Sequence, residues 1–340
     1  MVIVVLSLPA PISPAAYLPP ESPTLTGVLT PNEHLKKAEL LGLGKINGPE
    51  EVAVDSQGNV YSGTQDGKII KLNPDGKLAV FAETLGRPLG MQFDQEQNLI
   101  VCDADKGLLS IDPQGNISVL ATELDGVPFK FTDALDIASD GIIYFTDASD
   151  KFSQDEYLYD LLEAKPHGRL LSYNPATSEV KLLLSELYFA NGVALSAQQD
   201  FVLVNETYRY RIVRYWLKGP KAGSHDIFID NLPGFPDNIT SNGKGTFWLA
   251  LFTVRNSDID SLHAYPFLKA QMSKLPKFMW PKPASYALVV ALNEQGEITQ
   301  SLHDPSGQHL SQITSAREYA GHLYLGSLSN DRIGKYALPE

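Results

Sequence analysis

Gly48-Pro49-Glu50-Glu51-Val52-Ala53-Val54-Asp55 opens a unit that continues through the turn Gln57-Gly58-Asn59, the run Val60-Tyr61-Ser62, the turn Asp66-Gly67, Lys68 to Leu72, the turn Pro74-Asp75-Gly76 and Leu78 to Ala82. Apolar and polar residues alternate between reversals built from Asn, Asp, Gly and Pro, a pattern of hairpins rather than of capped helices. The unit predicts about four antiparallel strands. Comparable heads recur at Arg87-Pro88-Leu89-Gly90, Phe131-Thr132-Asp133-Ala134, Phe189-Ala190-Asn191-Gly192, Phe235-Pro236-Asp237-Asn238 and, with a weaker match, Gln312-Ile313-Thr314-Ser315. Six such units have many strand edges to protect, and radial stacking around a channel protects them. The predicted fold is all-β, a six-bladed β-propeller over residues 31–340.

The spacing stretches at two insertions, Ala148 to His167 in the third unit and Arg255 to Ser285 in the fifth. Leu262 to Leu275 has mixed helical periodicity with Pro266 near its middle, which predicts short helices only. The aromatics of that second insertion, Tyr265, Phe267, Phe278 and Trp280, need a surface on which to be buried. They are expected to cap the tunnel mouth as a lid in blade 5.

Residues 1–30 read as a separate extended segment. Val2 to Pro9 is apolar but far short of the roughly 20 residues that span a bilayer, and the Pro-rich stretch from Pro9 through Pro31 favours extended chain. One reading of this start is the remnant of a membrane anchor or signal, the other a plain arm. A membrane-anchored or exported location is favoured over a cytoplasmic one.

A hydrophobic share of 43% with 20% charged residues in 340 describes a globular chain. Twenty-seven Lys and Arg against 40 Asp and Glu give a formal charge of −13, which repels phosphate backbones, so no nucleic-acid partner is expected. The single cysteine, Cys102, forms neither an intrachain disulfide nor a thiolate metal site.

In a propeller the innermost strand of each blade lines the channel, so residues just before it converge at one mouth. At that phase stand Glu50, then Thr132 and Asp133, then Asn191, then Asp237 and Asn238. Any one of them alone reads as a turn former. Their shared phase in four units reads as a metal site, and carboxylate and amide oxygens without sulfur or imidazole suit calcium. Asp103, Asp105 and Gly107 imitate the start of a calcium-binding loop but lack its closing Glu. Phe131, Phe189, Phe235 and Phe252 lie beside the proposed ligands and are candidate substrate-binding walls of an apolar pocket; the first three equally suit the gaps between blades. The histidines fall mostly in expected surface turns, with His263 the one placed in an insertion near the mouth. No Gly-x-Ser-x-Gly elbow, His-Glu-x-x-His helix or phosphate-cradling loop is present.

The runs Ala134-Leu135-Asp136-Ile137-Ala138-Ser139-Asp140-Gly141-Ile142-Ile143-Tyr144-Phe145-Thr146-Asp147, Phe189-Ala190-Asn191-Gly192-Val193-Ala194-Leu195-Ser196 and His322-Leu323-Tyr324-Leu325-Gly326-Ser327-Leu328, with Gly48-Pro49-Glu50, resemble the strictosidine synthase-like family. The resemblance extends from about Gly27 onward and is most specific between Thr132 and Lys218. Wider relatives are the paraoxonases, gluconolactonase-type proteins and diisopropylfluorophosphatase, six-bladed propellers with a central calcium, many of which hydrolyse lactones, aryl esters or phosphotriesters. The resemblance implies Glu50, Asn191, Asp237 and Asn238 as calcium ligands. It departs from the pattern at Thr132-Asp133, where relatives commonly carry Asn-Asp, and at Arg87-Pro88-Leu89-Gly90, where the paraoxonases carry a histidine pair. The family's namesake condensation depends on a glutamate before the last inner strand, and Pro305 to Arg317 contains no acid, so that reaction is disfavoured.

The expected function is calcium-dependent hydrolysis of a small-molecule ester or lactone, with phosphotriesters a further class. Asp237 serves as metal ligand and as nucleophile or base, because a calcium-bound carboxylate stays ionised. The rival expectation is a non-catalytic binding or scaffold propeller with a structural calcium.

Overall fold

Asp55 shows how the reversals form. Its Oδ1 accepts from the backbone N–H groups of Gln57 and Asn59, each at 2.9 Å, and its Oδ2 from the Asn59 amide at 2.7 Å. Asp94 holds Glu96 and Asn98 in the same way, and Asp112 holds Gln114 and Asn116. The side chain satisfies the N–H groups that so tight a turn leaves unpaired. The residue before each Asn is left-handed: Gly58 has φ 80° and Gly115 φ 86°, while Gln97 bears the same strain at φ 67°.

In the computed structural model, which describes residues 9–339, these turns join six four-stranded antiparallel sheets. Blade 1 runs from Val52 to Glu83, blade 2 from Pro88 to Ala121, blade 3 from Thr132 to Leu187, blade 4 from Ala190 to Ile229 and blade 5 from Gly234 to Asp304. Every inner strand packs against the inner strands of both neighbouring blades, so the sheets close a ring around one axis. The six-bladed all-β propeller is the fold expected from the repeat.

Blade 6 is built from both ends of the chain. Three of its strands lie between Ile313 and Ala337, and the outermost is Glu39–Leu41, with Leu41 opposite Ile333 and Glu39 opposite Lys335. Just before this strand Leu35 is fully buried among Trp248, Val289, Leu302 and Leu325, apolar groups of blades 5 and 6. A buried leucine of this kind is worth about 2–5 kcal/mol against alanine.

The insertions carry three short helices: α1 (Tyr157–Glu163) in blade 3, and α2 (Ser257–Leu262) and α3 (Pro266–Met272) in blade 5. Asn256 caps α2 by accepting from Asp258 N and Ile259 N at 2.9 and 3.2 Å. Pro266 occupies the first turn of α3, where its missing N–H is not needed, so it starts a helix rather than interrupting one. Helix α3 packs on both α1 and α2 over one end of the ring. The N-terminal arm runs extended across this cap, with Ala15 N donating to Glu163 O and Tyr17 N to His263 O, each at 2.9 Å. Of the apolar start, residues 2–8 lie outside the described residues; among the latter no helix is long and apolar enough to cross a membrane.

Candidate functional site

Main-chain carbonyls at the blade heads are fixed by polar side chains from the preceding blade. Thr314 and Ser315 hydroxyls donate to Glu50 O at 2.7 and 2.8 Å, and Thr146 donates to Asn191 O at 2.8 Å. The Asn205 amide donates to Asp237 O, and Thr207 to Pro236 O at 2.7 Å. The heads are thereby held rigid, and a rigid backbone sets where their side chains point.

Glu50, Asp133, Asn191 and Asp237 line one open-mouthed cavity at the axis, of about 1070 Å³ including its solvent-filled mouth. All four are buried. Asn238, also buried, donates from Nδ2 to Glu50 Oε1 at 2.8 Å, while Glu50 Oε2 and Asn191 Oδ1 find no hydrogen-bond partner among the described residues. The Asn191 side chain lies beside the Asp237 carboxylate and favours its charged form. Thr132 is fully buried with an unpartnered hydroxyl and lies outside the cavity lining, where Asp133 takes part instead.

Burial, reinforced by the neighbouring carboxylates, holds Glu50 and Asp237 well above the usual carboxylate range. Asp133 is pushed up to about 8 by burial and then by Asp147. Arg87 is the cation that eases both Glu50 and Asp133. Three carboxylates, one with an orphaned oxygen, and the orphaned amide oxygen of Asn191 form a buried donor set of the kind that suits a hard divalent cation. Among the described residues no three His, Cys, Asp or Glu side chains are arranged to hold a metal by themselves. A cation here would need the amide oxygens of Asn191 and Asn238 as well, the latter after its amide turns over, a change that leaves its shape intact.

Phe131, Phe189, Phe235 and Phe252 all line the cavity. Phe131 meets Phe189 edge-on at 5.2 Å, and Phe189 stacks at 4.5 Å on Tyr208, another lining residue. The first three are also core residues, so they line the cavity and fill the gaps between blades at once.

The expected aromatic cap is absent. Tyr265, Phe267 and Phe278 point to solvent at 58%, 71% and 78% exposure. Trp280 turns the other way, into a cluster with Ile12, Phe152 and Leu162. The mouth is walled by Tyr157, Leu158 and Leu161 of α1 and, from the blade-5 insertion, by Asn256, Ile259 and Pro281–Pro283.

His263 does not reach the cavity: it is buried under Tyr17, and burial with Lys269 and Arg209 lowers it to about 3. His303, expected at the surface, is buried against Tyr286 at 2.8 Å. None of the described histidines lines the cavity. Sequence reasoning missed α1, whose Tyr-Leu-Tyr-Asp-Leu-Leu-Glu run was readable as helical, and the locks Thr146 and Asn205, whose signal is a polar residue inside an apolar strand.

The strictosidine synthase family model matches residues 133–220, and the model of the strictosidine synthase-like N-terminal region matches residues 27–72. Adipocyte plasma membrane-associated protein of Rattus norvegicus is 38% identical over 97% of this chain and 94% of its own length. Protein STRICTOSIDINE SYNTHASE-LIKE 4 of Arabidopsis thaliana is 36% identical over 93% of this chain and 86% of its own. Among solved structures a gluconolactonase of Xanthomonas campestris superposes with a TM-score of 0.65 over 98% of this chain and 99% of its own, at 16% identity, a likeness of fold. The blade-head motifs and this end-to-end similarity make the chain a member of the strictosidine synthase-like family.

Proposed function

We propose that the protein is a calcium-dependent, membrane-associated hydrolase of esters or lactones. The carrying observation is the buried group of Glu50, Asp133, Asn191 and Asp237, with unpartnered oxygens, at the floor of an aromatic-walled cavity. Glu50, Asn191, Asp237 and Asn238 would hold the ion, with Asp133 or Thr132 as a further donor. Bound calcium would polarise a substrate carbonyl and stabilise the charge developing on its oxygen.

The Asp237 carboxylate takes a proton from a water attacking the acyl carbon; the acyl–oxygen bond breaks, and the proton passes to the leaving alkoxide. The products are an acid and an alcohol, or one hydroxy acid from a lactone. Phe131, Phe189, Phe235 and Phe252, with Tyr157 and Leu161, bind the apolar part of the substrate and exclude water. The gluconolactonase-like fold supports the reaction class, and the name of the rat relative supports a membrane-associated location.

A second reading, a binding propeller with structural calcium, is favoured by the lack of a histidine among the described lining residues. Turnover of aryl acetates, lactones and phosphotriesters with calcium and with chelator separates the two. Hydrolysis should vanish in chelator, and Asp237→Asn should cost about 100-fold or more in kcat with a smaller loss of stability. Absence of turnover across the screen with calcium bound would refute the hydrolase and favour the binding protein.

A further inference from the structure

We propose that the outer face of the blade-5 insertion docks on the surface of a bilayer containing anionic lipid. Residues 264–283 carry four lysines, Lys269, Lys274, Lys277 and Lys282, and no acid, in a chain whose formal charge is −13. The charge reversal is local, and locality matters because exposed charges act only over about a Debye length, roughly 8–10 Å. The facing insertion brings Asp155 and Glu156 to its first turn, and Asp260 before the segment is paired with Arg255 at 2.8 Å. Lys269 is itself buried, so the segment's outward charges are those of exposed Lys277 and Lys282 with half-buried Lys274 beside them, and Lys277 reaches across to the Asp155 carbonyl.

The same segment has two apolar sides with different fates. Trp280, Leu262, Met272 and Leu275 turn inward and pack with Ile12, Phe152 and Leu162. Tyr265, Phe267, Leu268, Phe278 and Met279 turn outward, each at least 49% exposed. The buried side already anchors the segment to the propeller, so folding gives no reason for the outward set. Aromatic and long apolar side chains interleaved with lysines, on helices too short to span, match the chemistry of a headgroup–acyl boundary.

The N-terminal arm points to the same face. Lys269 Nζ donates to Ala15 O at 2.5 Å, Tyr17 is tied to His263, and Leu18 beyond it is 78% exposed. The apolar sequence Met1-Val2-Ile3-Val4-Val5-Leu6-Ser7-Leu8 leads into this arm. A bilayer that receives that sequence meets the insertion alongside it. Pro281, Lys282 and Pro283 continue from this face into the cavity lining, so docking places the cavity mouth beside the headgroups.

The test uses the full chain in sedimentation with vesicles of phosphatidylcholine alone and of phosphatidylcholine with phosphatidylserine. Phe267→Ser/Phe278→Ser should weaken partitioning onto the anionic vesicles by about tenfold or more. Lys277→Glu/Lys282→Glu, which leaves the apolar set in place, should lower it to the level seen on phosphatidylcholine alone. Both variants should melt with the parent, since all four side chains are exposed. Wild-type-like binding by both variants would assign attachment to residues 1–8 and overturn the proposal. So would a wild-type protein that leaves anionic vesicles unbound and forms a dimer that either variant dissolves, because the face would then belong to a second copy.

Discussion

Replacing Asp160 by Asn should remove the pH dependence of one part of the protein's stability. Asp160 sits in α1 at 1% exposure; its Oδ2 accepts from Ser149 Oγ at 2.6 Å, and its Oδ1 has no partner among the described residues. Burial raises the carboxyl from 3.8 to about 7, against the pull of the Ser149 hydrogen bond. The folded state thus holds this proton more tightly than the unfolded chain. Its stabilising contribution is complete below 3.8 and is lost as pH rises towards and through about 7. A gap of about three units at about 1.36 kcal/mol each gives a ceiling near 4 kcal/mol between about pH 4 and pH 8. Asn keeps the Ser149 bond and carries no charge, but its amide nitrogen lacks an acceptor, which costs about 1–3 kcal/mol at any pH. The variant should therefore exceed the parent by about 1–3 kcal/mol near pH 8 and fall below it by a similar amount near pH 4. Urea unfolding of both proteins at the two pH values measures this, with equal m values as the check. Parallel pH dependence in parent and variant would refute the reasoning.

Calcium should raise the melting temperature and chelator lower it, with Glu50→Gln shrinking the difference; identical melting in both conditions, with no metal in the purified protein, would remove the central site. Trp280→Ala deletes the centre of the cluster holding Ile12, Phe152 and Leu162 and the bond from its Nε1 to Leu275 O at 3.1 Å. It should cost about 3 kcal/mol locally, read as faster amide exchange in residues 257–283 with blade strands still protected; exchange spread evenly over the blades would contradict an insertion that folds on top of a finished ring.

The propeller was legible because its determinants are local. Asp55, Asp94 and Asp112 each bond the next few residues, so the turn and its sequence coincide. The blade heads were legible for a related reason: ring symmetry converts one phase of a repeat into one place, which brought Glu50, Asp133, Asn191 and Asp237 together. The cavity wall was not legible, since which side an insertion turns inward depends on what it meets. Trp280 found Ile12, more than 260 residues away, and Phe267 found nothing. Glu39–Leu41 carries too short a pattern to announce a strand, and its partner is at the other end of the chain.

That last pairing ties the timing of folding to the length of synthesis. Leu41 leaves the ribosome about 300 residues before Ile333, a delay on the order of 15–60 s at ordinary translation rates. Until then the nascent blades form an open fan whose first and last flanks are wet and apolar, and the segment around Leu35 waits without the blade 5 and 6 surfaces that bury it. A stop codon at position 333, which removes only the last eight residues, would delete the strand to which Glu39–Leu41 pairs. Both ends of the ring would then be left unzipped, and the damage would reach the first-made residues of the propeller as surely as the last.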